Sequence, residues 1–276
     1  MATVAASMLA RNAEAEGISP YVISSVSAPL KRRRKILCIG NSYTFYNDMP
    51  GMLVKIASSD PTNDIELGIQ SVTKGNARLG ELWQNTDFRE VLQSRNWDIV
   101  VLQGFSLWAM SEATIKENTA AAVAWQRDIE RVGARTVIYQ TWAQQRGSHW
   151  YTTGEMKDLL RSPEHMQGVI DRETIKLADR INAKIIPVGD AWMVAANDFS
   201  LYNKDANHPN VVGSYLTALC FYHCLTSRSL KNVTYWPQEL DEQRARELQA
   251  IAANQVYPRG WRNQQSSLVG SYAMAA

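Results

Sequence analysis

The sequence predicts an α/β fold in which helices cover both sides of a mainly parallel, five-stranded sheet. Three observations carry this. Short runs that are apolar on nearly every residue recur along the chain, as expected of strands buried on both faces. Longer amphipathic runs alternate with them. No internal repeat and no Pro- or Ser-rich linker interrupts the pattern after residue 35, so a single domain is expected.

The apolar runs are 35–39 (KILCI), 65–72 (IELGIQSV), 98–102 (DIVVL), 136–140 (TVIYQ) and 184–188 (KIIPV). Between them lie helical patterns. The segment 49–58 opens beside Pro50, which suits a first turn. In 79–93, Leu79, Leu82, Trp83, Phe88, Val91 and Leu92 fall roughly on one side. The Ala-rich segment 114–132 stops at Gly133. Helices are further expected over 164–183, 209–225 and 238–254. The domain organisation read from this is a flexible lead-in over 1–34, a domain over 35–256 and a tail over 257–276.

Bulk properties exclude several classes. The 276 residues are 45% hydrophobic and 20% charged, within the globular range and enough for a large core. A formal charge of +2 does not call for a nucleic-acid partner. No run approaches the roughly 18 apolar residues of a membrane span. The first residues lack an uninterrupted apolar stretch before a cleavage site, so a cytoplasmic protein is the default expectation, with a non-Sec export route left open. The run KRRRK at 31–35 reads as a solvated basic approach to the first strand. Cys38, Cys220 and Cys224 suit buried thiols better than a disulfide framework or a zinc site.

In open α/β sheets, ligands gather beyond the carboxyl ends of the strands, so chemistry is expected just after each apolar run. The first is followed by Gly40-Asn41-Ser42-Tyr43. A serine on a tight strand-to-helix turn exposes its hydroxyl, and a helix N-terminus favours developing negative charge. Late in the domain stands Asp205-Ala206-Asn207-His208-Pro209. A neutral imidazole can take the serine proton while a carboxylate fixes its tautomer. Gly75 after the second strand and Gln103 after the third can supply a backbone N–H and an amide to an oxyanion. Taken singly, Ser42 can be a helix cap, Asp205 a turn residue and His208 a surface residue.

Together these blocks resemble those of the SGNH (GDSL-like) hydrolase superfamily over about residues 35–226. Ile39-Gly40-Asn41-Ser42 matches the first block, with Asn41 where the family often has Asp. Gly75 matches the second block and Asp205-X-X-His208 the last. The third block usually reads Gly-X-Asn, but Gln103-Gly104 stands here, as in a subgroup that also carries Gly-Asn-Ser-Tyr and Thr141-Trp142-Ala143. The resemblance implies a three-layer α/β/α sandwich of flavodoxin-like type, no metal or other cofactor, and an acyl–serine intermediate. It implies Ser42, Asp205 and His208 as the catalytic triad, with Ser42, Gly75 and Gln103 around the oxyanion.

Asn41, Asn76, Trp142, His149 and Trp150 are expected substrate contacts, and Asp190 is a reserve for the acidic role. Of the nine tryptophans, Trp108, Trp142, Trp150 and Trp192 fall beyond predicted strands. Indoles there can stack on sugar faces, form an acyl wall or simply pack the core. The leading expectation is an esterase for carbohydrate O-acetyl or other short-chain esters. Acyl transfer on the same triad, a non-catalytic carbohydrate-binding module and metal-dependent phosphoester hydrolysis by Asp48, Asp205 and His208 are the alternatives. Oligomeric state and the ester's identity are not legible.

Overall fold

A computed structural model describes residues 31–153 and 160–255. The lead-in up to residue 30 and the tail over 257–276 lie outside the described residues. Five strands, β1 (Arg32–Gly40), β2 (Ile65–Thr73), β3 (Ile99–Gln103), β4 (Arg135–Gln140) and β5 (Lys184–Pro187), form one sheet in the order β2-β1-β3-β4-β5. Every pairing is parallel.

Successive residues point to opposite faces of a strand, and both faces are covered. Ile36, Cys38, Val101, Tyr139 and Ile186 join one core cluster. It is closed by helices α2 (Met49–Ser59), α7 (Val188–Ala195), α8 (Val211–Thr226) and α9 (Glu242–Ala253). Leu37, Ile39, Val100, Leu102 and Ile138 enter the other. That side is closed by α3 (Leu79–Gln84), α4 (Thr86–Gln93), α5 (Glu112–Arg131) and α6 (Pro163–Arg180). A further short helix, α1 (Ser42–Phe45), follows β1 directly. The sandwich is the predicted one, and its strand order reverses at β1 and β3, which places the ligand crevice between their carboxyl ends.

Three local expectations change. The basic run is solvated as expected, but it is already strand: Arg32, Arg33 and Arg34 pair with Ile65, Glu66 and Leu67, with the Arg32 and Arg33 side chains 67% and 65% exposed. The strand tolerates them because their charged ends find partners beyond the core. Arg32 meets Asp64 at 3.2 Å, Arg33 meets Glu66 at 3.8 Å, and Arg34 donates to the carbonyl of Leu225. The domain therefore begins before residue 35. The helix expected over 79–93 is broken at Asn85, whose side chain accepts the N–H groups of Asp87 at 2.9 Å and Phe88 at 3.3 Å. Such a cap stabilises a new helix start by about 1 kcal/mol. Finally, β5 runs straight into α7, a helix hidden in the sequence by its strand-like apolar start.

No disulfide joins the cysteines. Cys38 and Cys220 are buried as expected, whereas Cys224 is half-buried. Burial pushes the Cys38 thiol up to about 12, so it stays protonated and inert. Among the described residues no helix is long and apolar enough to cross a membrane.

Candidate active site

The turn after β1 is built around a close approach. A Cβ on Gly40 would lie 2.5 Å from Gln103 Oε1 and 2.7 Å from Thr44 Oγ1, so only glycine fits there. Asn41 then caps α1, its side-chain oxygen accepting the Tyr43 N–H at 3.2 Å, while its amide donates to Ala77 O at 3.2 Å. Ser42 is the first helical residue. Its N–H thus has no partner within the helix, and that end of the peptide dipole favours negative charge.

The residues expected as a triad come together. Ser42 Oγ lies 2.9 Å from His208 Nε2. On the far side of the ring, His208 Nδ1 lies 2.6 Å from Asp205 Oδ2. Asp205 Oδ1 accepts the backbone N–H groups of His208 at 2.9 Å and Asn207 at 3.1 Å. Partial burial opposes ionisation of Asp205. The hydrogen bonds from the His208 ring and then from these backbone groups outweigh it and hold the carboxyl below its ordinary range. An ionised Asp205 leaves Nδ1 as the donor and Nε2 as the acceptor facing Ser42.

Several contacts that seat His208 are invisible in a motif search. Tyr46 stacks on the imidazole with centroids 4.4 Å apart and planes 12° apart, and Tyr43 meets it edge-on at 5.8 Å. Asn207 is held from behind: its side-chain oxygen accepts from Tyr43 Oη and from Gln144 Nε2, the latter at 2.8 Å. Its carbonyl accepts the Trp142 indole N–H at 3.1 Å. Asn47 Nδ2 donates to Pro209 O at 3.0 Å and Ser214 Oγ at 2.9 Å, tying the Ser42 segment to the histidine loop. Asn47 adopts φ 53°, a backbone state asparagine tolerates; that is the one sequence signal it offers.

The other expected residues are placed as follows. Gly75 and Asn76 form an exposed turn after β2, with Asn76 at φ 58°. Nothing lies within 4 Å of where a Gly75 side chain would start. Gln103 is buried, and its amide is already engaged. Oε1 accepts the Asn41 backbone N–H at 2.8 Å and the Thr44 hydroxyl at 3.0 Å. Nε2 donates to Asn41 Oδ1 at 2.9 Å and to Gly104 O. With both N–H groups committed to Asn41 Oδ1 and Gly104 O, the amide ties the Ser42 turn to the end of β3.

Trp142 is fully buried, its faces covered by Tyr43 at 4.3 Å and Trp192 at 3.9 Å. Trp108 and Trp192 are buried too, so these three indoles are core and cannot stack on a sugar. His149 is exposed in a single 3-10 turn and lies against the half-buried Trp150, 4.7 Å between centroids. Neither contacts Ser42 or His208. Asp190 is not beside His208 but is paired with Asp171. Asp48 caps α2, accepting the Gly51 N–H at 3.2 Å.

Solved structures share this arrangement of elements. A protein from Slackia heliotrinireducens assigned as an SGNH hydrolase is 25% identical, with a TM-score of 0.57 over 70% of this chain and all of that one. The chain has the fold of the SGNH hydrolases. A DUF4886 family protein from Bacteroides uniformis superposes with a TM-score of 0.66 at 20% identity, covering 80% of this chain and 94% of the other. An acetyl xylan esterase, AlAXEase, gives 0.50 at 17% identity over 69% and 99%. No family model and no curated protein sequence matches the chain.

Proposed function

We propose that this protein is an SGNH-type serine hydrolase that cleaves short-chain carboxylic esters through an acyl–serine intermediate. The observation that carries the reading is the continuous relay from Ser42 Oγ through His208 to Asp205 at 2.9 and 2.6 Å. His208 Nε2 takes the Ser42 proton as the oxygen attacks the ester carbonyl. Asp205 keeps Nδ1 protonated and stabilises the imidazolium that forms. His208 then protonates the leaving alcohol, and a water activated by the same nitrogen releases the acid.

The Ser42 and Gly75 N–H groups serve the oxyanion, since neither bonds to another described residue and Ser42 opens a helix. Gln103 acts behind them by fixing Asn41 and Thr44. An acetyl group on a carbohydrate is the preferred substrate, supported by the fold shared with an acetyl xylan esterase; buried indoles lend it no further support. A panel of acetylated sugars and of short- and long-chain nitrophenyl esters tests the reading. Turnover of acetyl esters that vanishes in Ser42→Ala is expected; wild-type-like turnover by Ser42→Ala would end it.

A further inference from the structure

Asp171 projects from α6 and Asp190 from the first turn of α7; both line one groove, and Gln140 bridges them, donating to Asp171 Oδ1 at 2.9 Å and accepting the Asp190 backbone N–H at 3.3 Å. Two carboxyl groups this close hold one proton between them, because ionising both sets like charges side by side. Asp171 Oδ1 accepts the side-chain N–H groups of Gln140 at 2.9 Å and Gln167 at 2.7 Å. These bonds favour charge on Asp171 and leave the proton to Asp190. Burial, and then the Asp171 charge, raise the Asp190 carboxyl to about 7. Burial is also the main cause of the upward shift of Asp171.

The other titratable neighbours are few. Glu164 of α6 shares the groove of about 570 Å³ onto which the pair opens, and is bound to Arg146. Cys220 of α8 feels the Asp190 charge and is itself pushed far up by burial. At the groove, α9 presents Ala250 and Ile251, the residues just after it are Asn254 and Gln255, and β4 contributes Gln140 to the pair, none of them titratable.

This pair is wired to the histidine loop. The buried Gln167 donates to Asp171 and to Thr141 O at 3.4 Å, and its Oε1 accepts the Ala143 N–H at 2.9 Å. The same segment carries two of the three side-chain donors to Asn207, the Trp142 indole and the Gln144 amide; Tyr43 is the third. Gln145 N also donates to Ala206 O at 3.0 Å. On the other flank, Gly189 leaves no room for a Cβ, which would collide with Gln167 Nε2 and Thr141 O. The residue before Asp190 thus packs directly against Gln167 and the start of the 141–144 segment.

We propose that the Asp171–Asp190 pair is a pH-responsive positioning device: while it holds its proton it braces Gln167 and the 141–144 segment behind Asn207, and losing the proton drives the carboxyl groups apart and unseats His208. The inference rests on the serine-hydrolase reading of Ser42 and His208. A carboxyl raised above its unfolded value contributes stability present below the unfolded pKa of about 4 and lost as pH rises through about 7.

The test is a kcat profile from about pH 5 to about pH 9 for the full chain, Asp190→Asn and Asp171→Asn. Either amide can keep one hydrogen bond across the pair and removes the second ionisation. Wild-type kcat is expected to fall about five-fold or more above neutral pH, and each variant by less than about two-fold. Intrinsic tryptophan fluorescence, followed over the same range, reports Trp192 on α7 and Trp142 without needing turnover. A wild-type transition near neutral pH that both variants lack supports the device. A wild-type profile flat above neutral pH, or the same decline and transition in a folded variant, overturns it. Failure of Ser42 to react with a fluorophosphonate at any pH would instead strike the serine-hydrolase reading, leaving the fluorescence result to judge the pair.

Discussion

The two sides of the proposed reacting pair are held in different ways. Ser42 stands on a turn whose supports are all buried: Gln103 bonds to Asn41 and Thr44, and Gly40 packs closely against Gln103 and Thr44. His208 sits on a loop where Asp205 is still about half exposed, at 47% of its side chain, and the imidazole at 23%. Its order comes from a stacked tyrosine and from Asn207, gripped by Trp142, Gln144 and Tyr43. A nucleophile set in the core is rigid by packing. A general base on a polar loop is rigid only while its hydrogen bonds persist, so it is the side open to adjustment.

Substitutions can break this contrast, the largest effect first. Ser42→Ala should lower kcat by on the order of 10⁴–10⁶ while the circular dichroism spectrum is kept. Asp205→Asn should cost on the order of 10²–10⁴ in kcat with KM little changed, since the imidazole tautomer is no longer fixed. Its stability profile should also change below about pH 4. Wild-type Asp205, held below its ordinary range, contributes stability present above the unfolded pKa and lost as pH falls through the folded one. A thermal melt series from acid to neutral pH reads this directly.

Gln103 sharpens the comparison. Gln103→Glu turns both donors into acceptors facing Asn41 Oδ1 and Gly104 O, leaving buried groups unpaired at about 1–3 kcal/mol each. A marked drop in melting temperature together with a loss of roughly 10-fold or more in kcat is expected. A kcat loss with an unchanged melting temperature would return this amide to the oxyanion. Asn207→Ala on the other side should cost about 10-fold in kcat and also lower the melting temperature, since the buried Tyr43 hydroxyl and Gln144 amide lose their acceptor. Tyr46→Leu, which removes only the ring stacked on the imidazole, should cost a few-fold, since such contacts are worth about 0.5–1.5 kcal/mol.

What was legible in the sequence follows the same divide. Strand periodicity and Gly-X-Ser after the first apolar run located β1, the turn and its serine, because these are local. That Asp205 and His208 meet was legible in their spacing because one loop delivers both side chains. Asn207, Gln144 and Tyr46 were not legible, since their roles depend on contacts between segments far apart in the chain. Gln103 was found, but its task was not: donor direction depends on where the carboxamide folds back, and a motif does not encode that. Trp142 misled for a similar reason, being placed after a strand yet packed between Tyr43 and Trp192. The arginines of β1 misled because their strand pairing and their partners, Asp64 for Arg32, Glu66 for Arg33 and the Leu225 carbonyl for Arg34, come from segments far along the chain.

The central claim is that Ser42 is a nucleophile activated by His208. Incubating the full chain with a fluorophosphonate and mapping the adduct by peptide mass spectrometry tests it most directly. The account predicts a single modified serine, Ser42, with labelling slowed by at least about 10²-fold in His208→Ala and absent in Ser42→Ala. An unlabelled Ser42, or labelling that proceeds equally well without His208, would contradict it.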